Sequence, residues 1–167
     1  MDASKLEEII VNLIRLAVTD LPKDVTRGIE QALKNESNQT ARNQLEAILE
    51  NIKLAKNGSI PMCQDTGIQI FYVTVGSEFP LLNQLSLIIE NAVRKGTQEI
   101  PLRPNTVNPI AQKNPGNNIG LHIPWINWKI VEGSSLQITA FPKGGGSENK
   151  TKMVIIRTGI EEYLFTC

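Results

Sequence analysis

Apolar residues near the start of the chain recur every three or four positions, which is the spacing of one face of an α-helix. This predicted stripe consists of Leu6, Ile9, Ile10, Leu13, Ile14 and Ala17. At its beginning, Ser4 and Glu7 have the spacing of a capping box. The sequence therefore predicts an amphipathic helix that begins near Ser4.

Two further helices are predicted before residue 59. Pro22 suits the first turn of a helix, and this second helix should extend to about Leu33. Thr40 is the predicted cap of a third helix, which Asn57-Gly58 should end. Its apolar face carries Leu45, Ile48, Leu49 and Ile52.

Beyond Ile60 the pattern changes to short apolar runs between glycines and prolines. Ile68–Val75 is rich in β-branched and aromatic residues, which favours a buried strand. Leu82–Lys95 returns to helical spacing, and residues 100–124 hold too many prolines and asparagines for regular structure. Two more strands are predicted near Trp125–Val131 and Leu136–Phe141, joined by a turn.

The predicted fold class is α+β, with N-terminal helices packed on a mixed sheet of short strands. The 167 residues suit a single domain, 1–167, in which 1–58 is helical and 59–152 bears the motifs. Seventeen basic and seventeen acidic residues balance, which argues against nucleic-acid binding. No apolar run approaches the roughly 18 residues of a membrane span, and no signal peptide is evident. Two cysteines form no disulfide framework, so we expect a cytoplasmic protein.

Three polar segments beside the predicted strands could carry chemistry. In the first, Cys63 and Asp65 lie on a loop that enters a strand. A cysteine there can be a metal ligand or a nucleophile, and Asp65 is close enough to act at the same centre. The alternative is a small buried cysteine followed by a turn at Asp65.

The second segment runs from Arg103 to His122. The planar guanidinium of Arg103 can bind a carboxylate through two hydrogen bonds. His122 is the only histidine, so any imidazole proton transfer within this chain would be its work. The alternatives are a solvated arginine and a hydrogen-bonded structural histidine.

The third segment, Lys143–Lys150, contains Gly144, Gly145 and Gly146. Consecutive glycines can turn their N–H groups towards one point and bind an anion. The alternative is a flexible connection after a strand. The pattern lacks the lysine and spacing of a P-loop.

Taken together and in this order, the three segments resemble the α-type catalytic region of the iron–sulfur (class I) fumarate hydratases and L-tartrate dehydratases. The resemblance rests on CQDTG at 63–67, RPN at 103–105, the asparagine-rich stretch that ends at His122, and KGGGSEN at 143–149. It extends from about Ser59 to Lys152, and the helical N-terminal third agrees with it.

The resemblance implies that Cys63 is a ligand of a 4Fe–4S cluster whose open iron binds the substrate. The implied catalytic residues are Asp65, Arg103 and His122. The implied substrate-binding residues are Gln64, Arg103, Gly145 and Gly146. Hydration of a dicarboxylate needs a Lewis acid, a base, and donors for two carboxylates, so these residue types agree with that chemistry.

Some positions depart from the family pattern. Asn108 and Asn117 stand where that pattern has aspartate. From the motifs alone the resemblance fades after Lys152, and the family's further cluster cysteines have at most one counterpart, Cys167. We therefore expect a C-terminally truncated α subunit that is inactive alone. Its apolar runs, Met153–Ile156 and Tyr163–Phe165, should contact a partner or drive self-association.

The expected function is that of the α subunit, or a fragment of it, of an iron–sulfur hydro-lyase that reversibly hydrates a dicarboxylate such as fumarate to malate. The expected partners are a β-type subunit and a small dicarboxylate, within an oligomer. Two alternatives remain open. One is a catalytically inactive degenerate homologue that serves as a binding or interaction module. The other is a hydro-lyase for tartrate or mesaconate.

Overall fold

The computed structural model describes residues 2–145 and, beyond them, the backbone of two strands. The helices within 2–145 are α1 (Ala3–Thr19), α2 (Lys23–Asn35), α3 (Gln39–Gly58) and α4 (Leu85–Glu99). A 3-10 turn, Leu82–Gln84, precedes α4. The strands within 2–145 are β1 (Ile68–Gly76), β2 (Trp125–Val131) and β3 (Leu136–Lys143). The predicted α+β class is confirmed.

The caps of α1 and α3 differ from those predicted. The carboxylate of Asp2 accepts a first-turn N–H at 2.8 Å, so the capping box at Ser4 is wrong, and Ser4 lies inside the helix. Asn38 caps α3 in the same way at 3.1 Å, in place of Thr40. Asp and Asn are at least as good N-caps as Ser and Thr. The charge of Asp2 is also favourable beside the positive end of the helix dipole.

The buried face of α1 is rotated slightly from the predicted stripe. Leu6, Ile10 and Ile14 are buried as predicted, but Ile9 is 49% exposed. The helix contacts both α4 and β3, so its buried face turns towards the side that meets both. That side adds Val11 and Val18 to the core.

The sheet has the order β2-β1-β3, with β1 parallel to β2 and antiparallel to β3. Phe71, Val73 and Val75 of β1 are almost wholly buried and join α1 and α4 in one apolar core. Tyr72 lies on the opposite face, half exposed, and its ring stacks on Phe141 at 5.9 Å between centroids. The sheet is therefore mixed, as predicted, and α1 and α4 pack on one of its faces.

Residues 100–124 contain no helix or strand, as predicted. They hold two isolated bridges, Asn108 to Lys113 and Gly120 to Ile123. Within the described residues, no helix has the length and apolar character that crossing a membrane would require.

The last two strands, β4 (Lys152–Arg157) and β5 (Glu161–Thr166), pair antiparallel, with Lys152 opposite Thr166. The apolar runs Met153–Ile156 and Tyr163–Phe165 lie in these strands. Their side chains fall outside the described residues, so the predicted contact surface stays a prediction. Cys167 and Gly146 also lie outside the described residues.

Candidate active site

Residues from all three predicted segments line one open cavity of about 780 Å³. Its walls carry a thiol, a carboxylate and a guanidinium, from Cys63, Asp65 and Arg103. The remaining lining residues are Gln64, Gly67, Ile68, Asn105, Lys143, Gly144 and Gly145. A neighbouring depression of about 460 Å³ shares Cys63, Gln64 and Arg103 with it.

The segment that leads into this cavity is tied to the helices. The backbone N–H of Met62 donates to the carbonyl oxygen of Val18 at 3.0 Å. The side-chain amide of Asn51 on α3 donates to the carbonyl oxygen of Met62 at 2.9 Å. The turn at 63–67 therefore starts from a fixed point beside α1 and α3.

Gly67 brings this turn directly against the end of β3. Its φ of +63° lies in the left-handed region that favours glycine. A Cβ atom at this position would lie 2.1 Å from the carbonyl oxygen of Lys143. Only glycine permits this approach, and the approach places the first and third segments side by side.

The carboxylate of Asp65 connects the first and third segments. Its Oδ2 accepts the backbone N–H of Gly145 at 3.0 Å, although the two residues are 80 positions apart. One of the predicted glycine N–H donors therefore faces the cavity and binds an anionic oxygen. Within the cavity wall, Arg103 and Lys143 add positive charge beside Asp65, which favours an anionic ligand.

The guanidinium of Arg103 is exposed, and in the described part of the chain it forms no ion pair with a carboxylate. Its backbone, in contrast, is held firmly, because its N–H donates to the hydroxyl of Thr66 at 3.0 Å. The second segment is thus joined to the first, while the planar fork of Arg103 remains open to the cavity.

Thr66 and Asn118 are site residues that sequence reasoning did not single out. Both are buried, and both bind the backbone around Arg103. Asn118 has a φ of +56°, a conformation that Asn tolerates better than most residues. An asparagine within a stretch rich in Pro and Gly is a weak signal for such a role, since most such residues form ordinary turns.

His122 does not line the cavity described above. It lies beside a separate depression of about 350 Å³, with Ser86 and Glu90 of α4 and the rings of Trp125 and Trp128. Its φ of +59° shows that it occupies a tight turn before β2. Its catalytic role stays a prediction, and it would require a partner or substrate that reaches both places.

Asn108 and Asn117, the two departures expected from the resemblance, both support local turns. The side-chain oxygen of Asn108 accepts the N–H groups of Ile110 and Ala111, at 2.9 and 2.8 Å. The side-chain oxygen of Asn117 accepts the N–H of Ile119 at 3.1 Å. A carboxylate would accept the same bonds, so the substitutions remove charge without removing the turn.

One residue of the cavity suits a ligand of an iron–sulfur cluster. The thiol of Cys63 is exposed at the cavity, and its sulfur accepts the backbone N–H of Asp65 at 3.4 Å. Exposed cluster thiolates commonly accept such N–H bonds, so Cys63 fits the role of one ligand. Among the described residues, no group of three or more His, Cys, Asp or Glu side chains could hold a metal ion.

The fold and the site define an α+β protein in which a thiol, a carboxylate and an arginine from distant segments face one open cavity. The sequence matches the family model of fumarate hydratase (Fumerase) over residues 7–165, further than the motifs alone indicate. The chain belongs to the fumarate hydratase family.

Curated relatives agree with this assignment. A protein of Methanocaldococcus jannaschii named "Putative L(+)-tartrate dehydratase subunit alpha" is 39% identical in an alignment of 163 positions that covers 94% of this chain and 57% of the relative. The L(+)-tartrate dehydratase subunit alpha of Escherichia coli K12 is 33% identical in an alignment of 161 positions that covers 95% of this chain and 53% of the relative. The chain thus spans about half the length of the curated relatives it matches.

Proposed function

We propose that this chain is the α-type part of a hydro-lyase that adds water to, or removes it from, a small dicarboxylate. The observation that carries the proposal is the meeting of Cys63, Asp65 and Arg103 around one cavity, with the N–H of Gly145 bound to Asp65. This reaction needs a residue that holds a Lewis acid, a residue that carries a proton and a residue that donates hydrogen bonds to a carboxylate. Cys63, Asp65 and Arg103 are of these three types.

Arg103 binds one carboxylate of the substrate in this proposal. Its fork can donate two parallel hydrogen bonds, and no ion pair with a described carboxylate occupies it. Gln64 and the N–H group of Gly146 bind further oxygens of the substrate, whereas the N–H of Gly145 is donated to Asp65. Lys143 contributes positive charge at the same wall.

Asp65 holds or moves the proton at the substrate carbon. Its carboxylate reaches the cavity wall and is oriented by the N–H of Gly145, so one of its oxygens has a fixed direction. A base must be within hydrogen-bond reach of the proton it takes, and an oriented carboxylate at the cavity wall supports this role for Asp65.

Cys63 holds one iron of a 4Fe–4S cluster in this proposal, and the bound cluster supplies a Lewis acid for the substrate hydroxyl. The other ligands of the cluster come from outside the described residues. A β-type partner subunit completes an oligomeric, cytoplasmic enzyme. The substrate is fumarate/malate or tartrate, the two activities that the names of the family and of the relatives contain.

The test is anaerobic iron and sulfide reconstitution of the chain with a β-type partner, followed by assays with fumarate, L-malate and L-tartrate. We expect turnover of one of these that Arg103→Gln abolishes. Arg27→Gln, which changes an arginine of α2 that does not line the cavity, is the matched control and should leave turnover unchanged. A reconstituted complex without turnover would favour the inactive binding module instead.

A further inference from the structure

We propose that Thr66 and Asn118 are positioning residues, which hold the backbone of Arg103 so that its guanidinium is presented to a dicarboxylate. This inference rests on the proposed function of Arg103. It begins from the fact that Arg103 lies in residues 100–124, which contain no helix or strand. The backbone polar groups of such a residue have no ladder partners and must be satisfied in another way.

The hydroxyl of Thr66 binds both backbone polar groups of Arg103. It accepts the N–H of Arg103 at 3.0 Å and donates to the carbonyl oxygen of Arg103 at 3.4 Å. Thr66 is only 4% exposed, so water does not compete for these bonds. Thr66 belongs to the same turn as Cys63 and Asp65, and this single hydroxyl therefore couples Arg103 to the other cavity residues.

Asn118 binds the same loop and uses both the nitrogen and the oxygen of its side-chain amide. Its Nδ2 donates to the carbonyl oxygen of Arg103 at 3.1 Å and to the hydroxyl of Thr97 at 3.2 Å. Its Oδ1 accepts the N–H of Asn105 at 2.7 Å. Thr97 lies on α4 and donates to the carbonyl oxygen of Val93 at 2.7 Å.

These bonds form a continuous path from a rigid helix to the arginine. A fully satisfied buried network has one preferred arrangement, because any other leaves a buried polar group unpaired. If the network served stability alone, breaking it would lower the exchange protection of all core amides by a similar factor. The proposed role predicts instead a local loss of protection around Arg103 and weaker binding of the ligand of Arg103.

The first experiment measures amide hydrogen exchange of the full chain by NMR. Thr66→Val removes the hydroxyl at constant shape, and the exchange protection of the Arg103 amide should fall roughly tenfold relative to core amides. Thr66→Ser should restore the protection. Thr106→Val is the matched control, because Thr106 is buried in the same loop and its hydroxyl has no hydrogen-bond partner among the described residues.

Asn118→Gly is the independent second variant, should Thr66→Val not fold. Glycine accommodates the positive φ without strain, so this substitution removes the amide bonds without straining the backbone. The protection of the Asn105 amide should then fall roughly tenfold, the scale of one hydrogen bond. Unchanged protection of Arg103 in Thr66→Val and of Asn105 in Asn118→Gly would overturn the proposal.

The second experiment titrates succinate and follows the backbone amide signals of residues 63–67, which every variant retains, together with the Nε–Hε signal of Arg103 in the variants that keep this arginine. Thr66→Val and Asn118→Gly should each weaken binding about tenfold, while Thr66→Ser and Thr106→Val bind as the wild type does. Binding that is lost in Arg103→Gln but unchanged in Thr66→Val and Asn118→Gly would overturn the positioning role and leave the proposed function intact. If the wild type does not bind succinate, or if Arg103→Gln binds it as the wild type does, the proposed role of Arg103 itself is overturned.

Discussion

Replacing Gly67 with alanine would place a methyl group inside the backbone of the neighbouring strand end. The new Cβ would lie 2.1 Å from the carbonyl oxygen of Lys143, 2.3 Å from its carbonyl carbon and 2.7 Å from the backbone nitrogen of Gly144. All three are backbone atoms, so no side chain can rotate away. The turn at 63–67 and the end of β3 would have to separate.

Two costs add in this variant. The left-handed conformation, with a φ of +63°, costs a residue with a Cβ about 1–2 kcal/mol. Overpacking against backbone costs about 1–3 kcal/mol. The free energy of unfolding should therefore fall by about 2–5 kcal/mol, which lowers the Tm by roughly 4–20 °C for a chain of this size. The separation should also break the bond between Asp65 and the N–H of Gly145.

The assay is urea denaturation followed by circular dichroism, with two glycine controls. Gly133 has a φ of +91°, but apart from its chain neighbours no atom of the described residues lies within 4 Å of its Cβ position. Gly133→Ala should therefore lose only the conformational part, about 1–2 kcal/mol. Gly28 lies inside α2 in open space, so Gly28→Ala should gain about 0.5–1 kcal/mol. An equal loss in Gly67→Ala and Gly133→Ala would refute the close approach of the turn to β3.

The remaining predictions concern the proposed chemistry and use the reconstituted complex. Cys63→Ser should greatly reduce iron content and cluster absorption, and an unchanged iron content would contradict the ligand role. Arg103→Lys keeps the charge but loses the fork, so kcat/KM should fall by a factor that corresponds to about 1–3 kcal/mol; wild-type kinetics would return Arg103 to a surface charge. Asp65→Asn retains an oxygen acceptor for the N–H of Gly145, so stability should change by less than about 1 kcal/mol. Its kcat should nevertheless fall roughly 100-fold or more, and a smaller loss would exclude Asp65 as the proton carrier.

The helices and strands of this chain were predictable because the spacing of apolar residues along the sequence indicates which face of an element is buried. Strand β1 and the irregular stretch 100–124 follow directly from β-branched residues and from prolines, and both are confirmed. The caps were less predictable, since Asp2 competes with Ser4, and Asn38 with Thr40, on nearly equal terms. Helix α4 ends at Glu99 rather than near Lys95, because Val93, Gly96 and Thr97 are buried and keep the last turn packed.

The candidate site also contains residues that were predictable from the sequence and residues that were not. Cys63, Asp65 and Arg103 were predictable, because a thiol, a carboxylate and a guanidinium are reactive or charged groups in any fold. The residues that hold them could not be predicted so well. A threonine such as Thr66 or an asparagine such as Asn118 also forms ordinary turns, and only the contacts distinguish the two uses.

The meeting of the three segments follows from how the strands pair. Strand β1 begins at Ile68, just after the turn at 63–67, and its antiparallel partner β3 ends opposite that residue at Lys143. Its parallel partner β2 begins at Trp125, opposite Ile70, so the stretch 100–124 arrives at the same edge of the sheet. One antiparallel and one parallel neighbour thus bring a strand beginning, a strand end and a long loop together. A sheet with the same strands but an antiparallel β1–β2 pair would place the start of β2 at the opposite edge, far from Cys63, and no alternation pattern in the sequence distinguishes the two pairings.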